Sequence, residues 1–223
     1  MLAAAWKADT CLLERVGQQT PTGKQKPPDK SIAGVAPGPP AIQIERDAMQ
    51  ILAIDPGPVR SAWIAYDGND GNIWGFGLED NGKIIGETLP QELACFPPDR
   101  FALQLVIEMI EGRGMPVGAS VFETCVWIGR LYQRWLEITD DVSEEYTTPN
   151  RILRRTIKLH LCGSARAKDS NVRQALIDKF GGSKETAIGK KANPGPLYGI
   201  KKDIWAALAV AVTWAETKGE QDA

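Results

Sequence analysis

Two short apolar runs, each ending on a carboxylate, constrain this chain more than any other feature. Gln50-Ile-Leu-Ala-Ile54 leads into Asp55-Pro56-Gly57, and Phe101 to Glu108 reads FALQLVIE. Both are of strand length, and the first is closed by a turn sequence. The second reads as a buried strand, where an unpaired carboxylate is costly unless it takes up a proton or finds a partner. Between them, Arg60 to Tyr66 reads as a strand, with further strands within Ile73 to Phe76 and within Lys83 to Thr88. Beyond a loop marked by Gly112, Gly114 and Gly118, Val121 to Leu136 carries apolar residues at helical spacing. Glu144 to Thr148 reads as a short strand. Pro149 suits a helix start, with Ile152 to Leu161 continuing it. Ser170 to Phe180 is a helix stopped by Gly181-Gly182, Asn193 to Gly199 is a Pro/Gly loop, and Asp203 to Thr217 is the last helix. Strands in hairpin order followed by strands alternating with helices predict an α/β fold, a mixed sheet flanked by helices.

The first 48 residues are different in kind. Between Thr20 and Pro40 nine of 21 positions are proline or glycine. Such a stretch cannot bury enough surface to offset its ordering entropy, so residues 1–48 are expected to be a disordered extension and residues 49–223 the folded domain. Met49 stands directly before the first strand. A start of translation at Met49 and a true flexible tail both remain open.

Composition excludes several classes. Hydrophobic residues make up 43% and charged residues 24%, which suits a chain able to bury a core. No apolar run approaches the ~20 residues of a membrane helix, so no membrane partner is expected. Four cysteines without a CxxC pair, and the single His160, argue against a zinc site. They also argue against a disulfide scaffold, and so for a reducing, cytoplasmic setting. His160 itself reads as structural. The glycines at 112 to 118 make no dinucleotide fingerprint, and Gly189-Lys190-Lys191 lacks the phosphate-loop spacing.

Three acids sit where backbone elements end: Asp55 and Glu108 at strand ends, Asp203 at the start of the last helix. If the strands are neighbours and the helix crosses their ends, the three converge. Converging carboxylates resist ionisation unless a cation sits among them. Oxygen donors without thiolate or imidazole favour Mg²⁺ or Mn²⁺, the ions of phosphoryl chemistry. Each acid also has an ordinary reading. Asp-Pro-Gly is a common turn, Asp at a helix start is a common cap, and Glu108 has Arg113 nearby as a pairing partner.

Charge is unevenly spread. The chain has 26 Lys and Arg against 28 Asp and Glu, formally -2. Residues 151–202 alone hold 13 Lys and Arg against three acids. A basic segment opposite an acidic site is what a polyanion substrate requires, which makes Arg166, Lys168, Arg173, Lys190, Lys191, Lys201 and Lys202 candidates for nucleic-acid contact. Arg154, Lys158 and Lys179 read equally well as solvated helix faces.

Together these motifs resemble the RuvC family of Holliday-junction resolvases, within the RNase H-like superfamily. Ile51-Leu-Ala-Ile-Asp-Pro-Gly57 looks like that family's first catalytic strand, and Val106-Ile-Glu108 like its second. Gly163 to Val172 is similar to its loop-and-helix segment. Lys202-Asp-Ile-Trp-Ala-Ala-Leu-Ala-Val-Ala211 looks like its last catalytic helix, usually written D-A-A-D-A-L-A. The resemblance spans roughly Met49 to Glu216 and is strongest to divergent phage-encoded members. One departure stands out: Ala206 occupies the place of the second acid in that helix motif, leaving three carboxylates, with Glu111 and Asp169 as candidate helpers. The resemblance implies an RNase H-like fold, a homodimer, and a Mg²⁺-dependent endonuclease acting on branched DNA in recombination and repair. It makes Asp55, Glu108 and Asp203 the catalytic and metal-binding residues. It also makes the helix over 121–136 the natural dimer interface, with Trp127 and Tyr132 available for burial. The rival readings are an RNA-cleaving nuclease of the YqgF or RNase H type, a junction-binding protein with weak or no catalysis, and a fragment of an actin-like ATPase.

Overall fold

The computed structural model describes residues 49–95, 102–112, 114, 116–140 and 148–219. The expected N-terminal extension, Arg113, and nearly all of the strand expected over 144–148 lie outside these. At the centre is a five-stranded sheet of β1 (Met49–Asp55), β2 (Arg60–Asp67), β3 (Ile73–Asp80), β4 (Ala102–Met109) and β5 (Asn150–Leu153), in the order β3-β2-β1-β4-β5. β1, β2 and β3 are antiparallel neighbours, whereas β4 is parallel to β1 and β5 parallel to β4. The mixed sheet expected from the sequence is therefore present.

The two carboxylate-ending runs are the central pair. Every residue from Ile51 to Ile54, and from Leu105 to Ile107, is buried. Strands apolar on both faces must be covered on both, because successive side chains point to opposite sides. On one face Ile51, Ala53, Ala62, Ile64, Val106 and Ile152 pack against α4 (Arg154–Cys162), α5 (Asp169–Gly181) and α7 (Ile204–Gly219). On the other, Leu52, Ile54, Leu103, Leu105 and Ile107 meet α2 (Leu89–Cys95) and α3 (Ala119–Ile138), with Trp135 fully buried. The result is a three-layer sandwich. α7 is apolar nearly all round, with Ala207 to Val212 buried, as suits a helix packed across β1 and β2. Trp214 Nε1 donates to Gln104 Oε1 at 2.9 Å, tying α7 to β4 as well.

Two expectations need correction. Lys83 to Thr88 is not a strand. A short α1 (Asn81–Lys83), whose N-cap Asp80 accepts from the Gly82 amide, runs into a π-helical turn, Ile84–Thr88, and then into α2. The buried residues Ile84 and Leu89 are five apart, the spacing a π turn brings onto one face. An alternating strand would have pointed them to opposite sides. Pro149 does not open a helix either. Residues Asn150–Leu153 pair beside β4, with Ile152 buried opposite Glu108, and the helix starts only at Arg154. α5 stops as expected: Gly182, at φ 73°, takes the left-handed cap conformation that glycine adopts without strain. α6 (Lys184–Ala187) and a two-strand hairpin, β6 (Gly189–Lys190) with β7 (Asn193–Pro194), fill the segment before α7.

Candidate active site

Register and side-chain parity bring the acids together. In the parallel pair β1/β4, Ile54 stands opposite Ile107, so Asp55 and Glu108 are the next residues on adjacent strands. Both have the parity of the sheet face under α7: Asp55 follows Ile51 and Ala53 at two-residue steps, and Glu108 follows Val106, all three packed on that face. Asp203 precedes α7, and its carbonyl accepts from the amides of Ala206 and Ala207 at 2.8 and 3.2 Å. All three acids line one cavity of about 120 Å³, with Arg154, Lys158, Asp169, Arg173, Lys202 and Ala206 among the other wall residues.

The turn carrying Asp55 is held from behind by residues the sequence reading did not single out. Ser61 and Asn81 are both buried. Ser61 Oγ donates to Asn81 Oδ1 at 2.6 Å and accepts from the Gly57 amide at 3.2 Å. Asn81 Nδ2 donates to the Gly57 carbonyl at 2.9 Å. A Cβ on Gly57 would overlap the Arg60 carbonyl oxygen, so the turn needs a glycine there.

The electrostatics are those of crowded acids. Burial, followed by the charges of Glu108 and Asp203, pushes the Asp55 carboxyl from 3.8 up to about 8, with Arg154 offsetting part of the rise. Burial also raises Glu108, again partly offset by Arg154. Arg154 is the charged partner of Glu108. Its Nη1 lies 2.9 and 3.0 Å from the two Glu108 oxygens, and its Nη2 lies 2.9 Å from Asp169 Oδ1. Lys158 Nζ reaches the same Asp169 oxygen at 3.1 Å. Arg154 and Lys158 are thus cavity residues rather than the solvated helix face the sequence also allowed. The signal for them was their i, i+4 spacing on a helix directly after the strand beside Glu108. Lys179 does face away, pairing with Glu216, which also takes His160 Nε2 at 2.6 Å. His160 therefore has the structural role expected of it.

The donors suit a hard divalent ion in kind, being carboxylate oxygens only, and in place, lining one cavity in which burial first and then neighbouring acids raise the Asp55 carboxyl. As the side chains stand, no three His, Cys, Asp or Glu among the described residues are grouped to hold an ion. Glu108 holds a guanidinium instead. Of the two candidate helpers, Asp169 lines the cavity and Glu111 does not.

The basic candidates fall into three places. Arg173 and Lys202 reach the cavity wall. With Lys201, Ser170 and Trp205 they also line an adjoining groove, where the Arg173 guanidinium sits 4.8 Å over the Trp205 ring. Arg166 and Lys168 line a second groove with Ser164 and Asn171. Lys190 and Lys191 are exposed on the β6–β7 hairpin, outside both grooves. Lys202 has a left-handed backbone, φ 48°, directly before Asp203.

No family model matches the sequence, and no curated protein matches it. Solved structures do match in fold. Thermus thermophilus RuvC is 14% identical, with a TM-score of 0.52 over 77% of this chain and 97% of that one. T. thermophilus RuvC in complex with a Holliday junction substrate is 14% identical, with a TM-score of 0.51 over 78% and 96%. The yeast mitochondrial Holliday junction resolvase Ydc2 is 13% identical, with a TM-score of 0.50 over 81% and 85%. The chain has a RuvC-like, RNase H-like fold.

Proposed function

We propose that this chain is a metal-dependent endonuclease that hydrolyses phosphodiesters in branched DNA, with the four-way Holliday junction as its substrate. The observation that carries the reading is that Asp55 and Glu108 directly follow the last paired residues of the parallel β1/β4 register, with Asp203 on the same cavity. Basic grooves beside that cavity and the RuvC-like fold support it.

Asp55, Glu108 and Asp203 would hold Mg²⁺ or Mn²⁺. A bound ion of this kind supplies a Lewis acid that activates water and offsets charge on the leaving oxygen. The chain's own residues do the rest. Asp55 and Glu108, on rigid central strands, fix the acidic end of the cavity. Arg173, Lys201 and Lys202 hold phosphates of the strand entering it, and Arg166 and Lys168 those of a neighbouring arm. Lys190 and Lys191 extend this surface on the hairpin. Contacts of this type position DNA and read little sequence. Two such sites cutting symmetric strands require a homodimer. Its interface is α3, where Phe122 is 62% and Val126 53% exposed on one face. Trp127 and Tyr132 on the same helix are only half-buried within the protomer, and Trp127 lies 4.7 Å under the Arg130 guanidinium.

A second reading, a junction-binding protein with weak catalysis, is favoured by Ala206 and by the guanidinium on Glu108. One experiment separates these. A synthetic four-way junction, a linear duplex and a structured RNA are incubated with the protein in Mg²⁺, Ca²⁺ or EDTA. Paired nicks in the junction with Mg²⁺ alone are expected. Binding without nicks under every condition supports the second reading, and preferential RNA cleavage refutes the DNA substrate.

A further inference from the structure

The cavity holds its own cation. We propose that Arg154 is a resident counter-cation that occupies Glu108 in the metal-free protein and transfers to Asp169 when an ion enters. This rests on the metal-site reading above.

Three observations lead there. Both Glu108 oxygens accept from the same Arg154 nitrogen, at 2.9 and 3.0 Å. An ion using Glu108 must take one of those oxygens, and a divalent cation beside a guanidinium is strongly repelled in a buried site. Glu108 therefore serves one cation at a time. Second, the guanidinium already has somewhere to go, because Nη2 engages Asp169 at 2.9 Å. Releasing Glu108 leaves Arg154 still paired, and Asp169 is 70% exposed, so charge gathered there is solvated. Third, as the side chains stand, no three His, Cys, Asp or Glu among the described residues are grouped to hold an ion. That is the arrangement expected when a planar fork spans two of them. Stability alone is a weak reason for such a pair, since desolvating both groups offsets most of their attraction.

The test is calcium binding by the full chain, measured by isothermal titration calorimetry at pH 8, so that no turnover is needed. Arg154→Gln keeps a donor toward Glu108 but removes the charge, and should bind Ca²⁺ about tenfold or more tightly than the unaltered protein. Arg154→Lys keeps the charge but reaches only one carboxylate at a time, and should fall between the two. Asp169→Asn removes the alternative partner and should weaken Ca²⁺ binding several-fold. In Arg154→Gln/Asp169→Asn that weakening should vanish. If it persists, Asp169 is itself a ligand and the transfer is wrong. If folded Arg154→Gln and Arg154→Lys bind Ca²⁺ no more tightly than the unaltered protein, Arg154 is a plain structural partner and the proposal fails while the metal site stands. If neither the unaltered protein nor Arg154→Gln takes up Ca²⁺ or Mn²⁺, the proposal and the metal reading fall together.

Discussion

Replacing Asp55 by Asn should make the metal-free protein more stable while abolishing cleavage. The carboxyl is raised from 3.8 to about 8 in the folded chain, by burial first and then by Glu108 and Asp203. In that window the folded state keeps a proton that the unfolded state has released. Stability therefore falls as pH rises, by roughly 1.4 kcal/mol per pH unit for a fully shifted group. From pH 5 to pH 8 the ceiling is about 4 kcal/mol. Solvent reaching this half-buried group, and sharing of the proton with Glu108, reduce the working figure to about 2 kcal/mol. Asparagine has no charge to desolvate and escapes the loss. Urea unfolding without divalent ions, at pH 5 and pH 8, measures it. The variant should exceed the unaltered protein by about 2 kcal/mol at pH 8, with a smaller gap at pH 5. Stability curves for the two proteins that run parallel from pH 5 to pH 8 would refute the claim that burial and its neighbours raise the Asp55 carboxyl. Junction nicking by Asp55→Asn at the unaltered rate would refute its place in the site.

Changing Lys190, Lys191, Lys201 and Lys202 together to Ala should weaken junction binding and flatten the slope of log affinity against log salt by roughly 0.9 per lost phosphate contact. An unchanged slope means that these lysines do not meet DNA. Asn81→Ala should cost about 2 kcal/mol in urea unfolding, since Ser61 and the Gly57 carbonyl both lose a buried partner. It should also slow cleavage by displacing the Asp55 turn, and stability equal to the unaltered protein would show that this network is idle. Phe122→Asp with Val126→Asp should convert a dimer to a monomer in light scattering without loss of helicity. A variant of unchanged mass would move the interface elsewhere.

The central strands were legible because burial on both faces makes the residues just before each acid, Ile51 to Ile54 and Leu105 to Ile107, all apolar. Glu108 was legible for the same reason, as a charge at the end of such a run. Ile84 to Thr88 was not, because short apolar clusters fit either period and a π turn's five-residue spacing matches neither template. β5 was hidden by Pro149, which suits both a helix start and the entry to an edge strand. Asp55, Glu108 and Asp203 could be named as acids but not placed side by side, which depends on parallel register. Arg154 was missed because its chemistry lies in a partner 46 residues away, and Asn81 because a buried amide bridge leaves no pattern in the chain.

The site joins the first strand of the sheet to its last helix, and this has a consequence during synthesis. Asp55 leaves the ribosome early, but Asp203 and α7 follow about 150 residues later, and until then the face shared by α4, α5 and α7 lacks its last helix. Pairings this distant in sequence form slowly. A nascent chain therefore passes through a stage at which the β1 and β2 positions that α7 packs across are open while the acidic cluster lacks Asp203. On the proposed reading, the acidic site is completed in the same step that closes the core, so a chain not yet folded would also be unable to cut DNA.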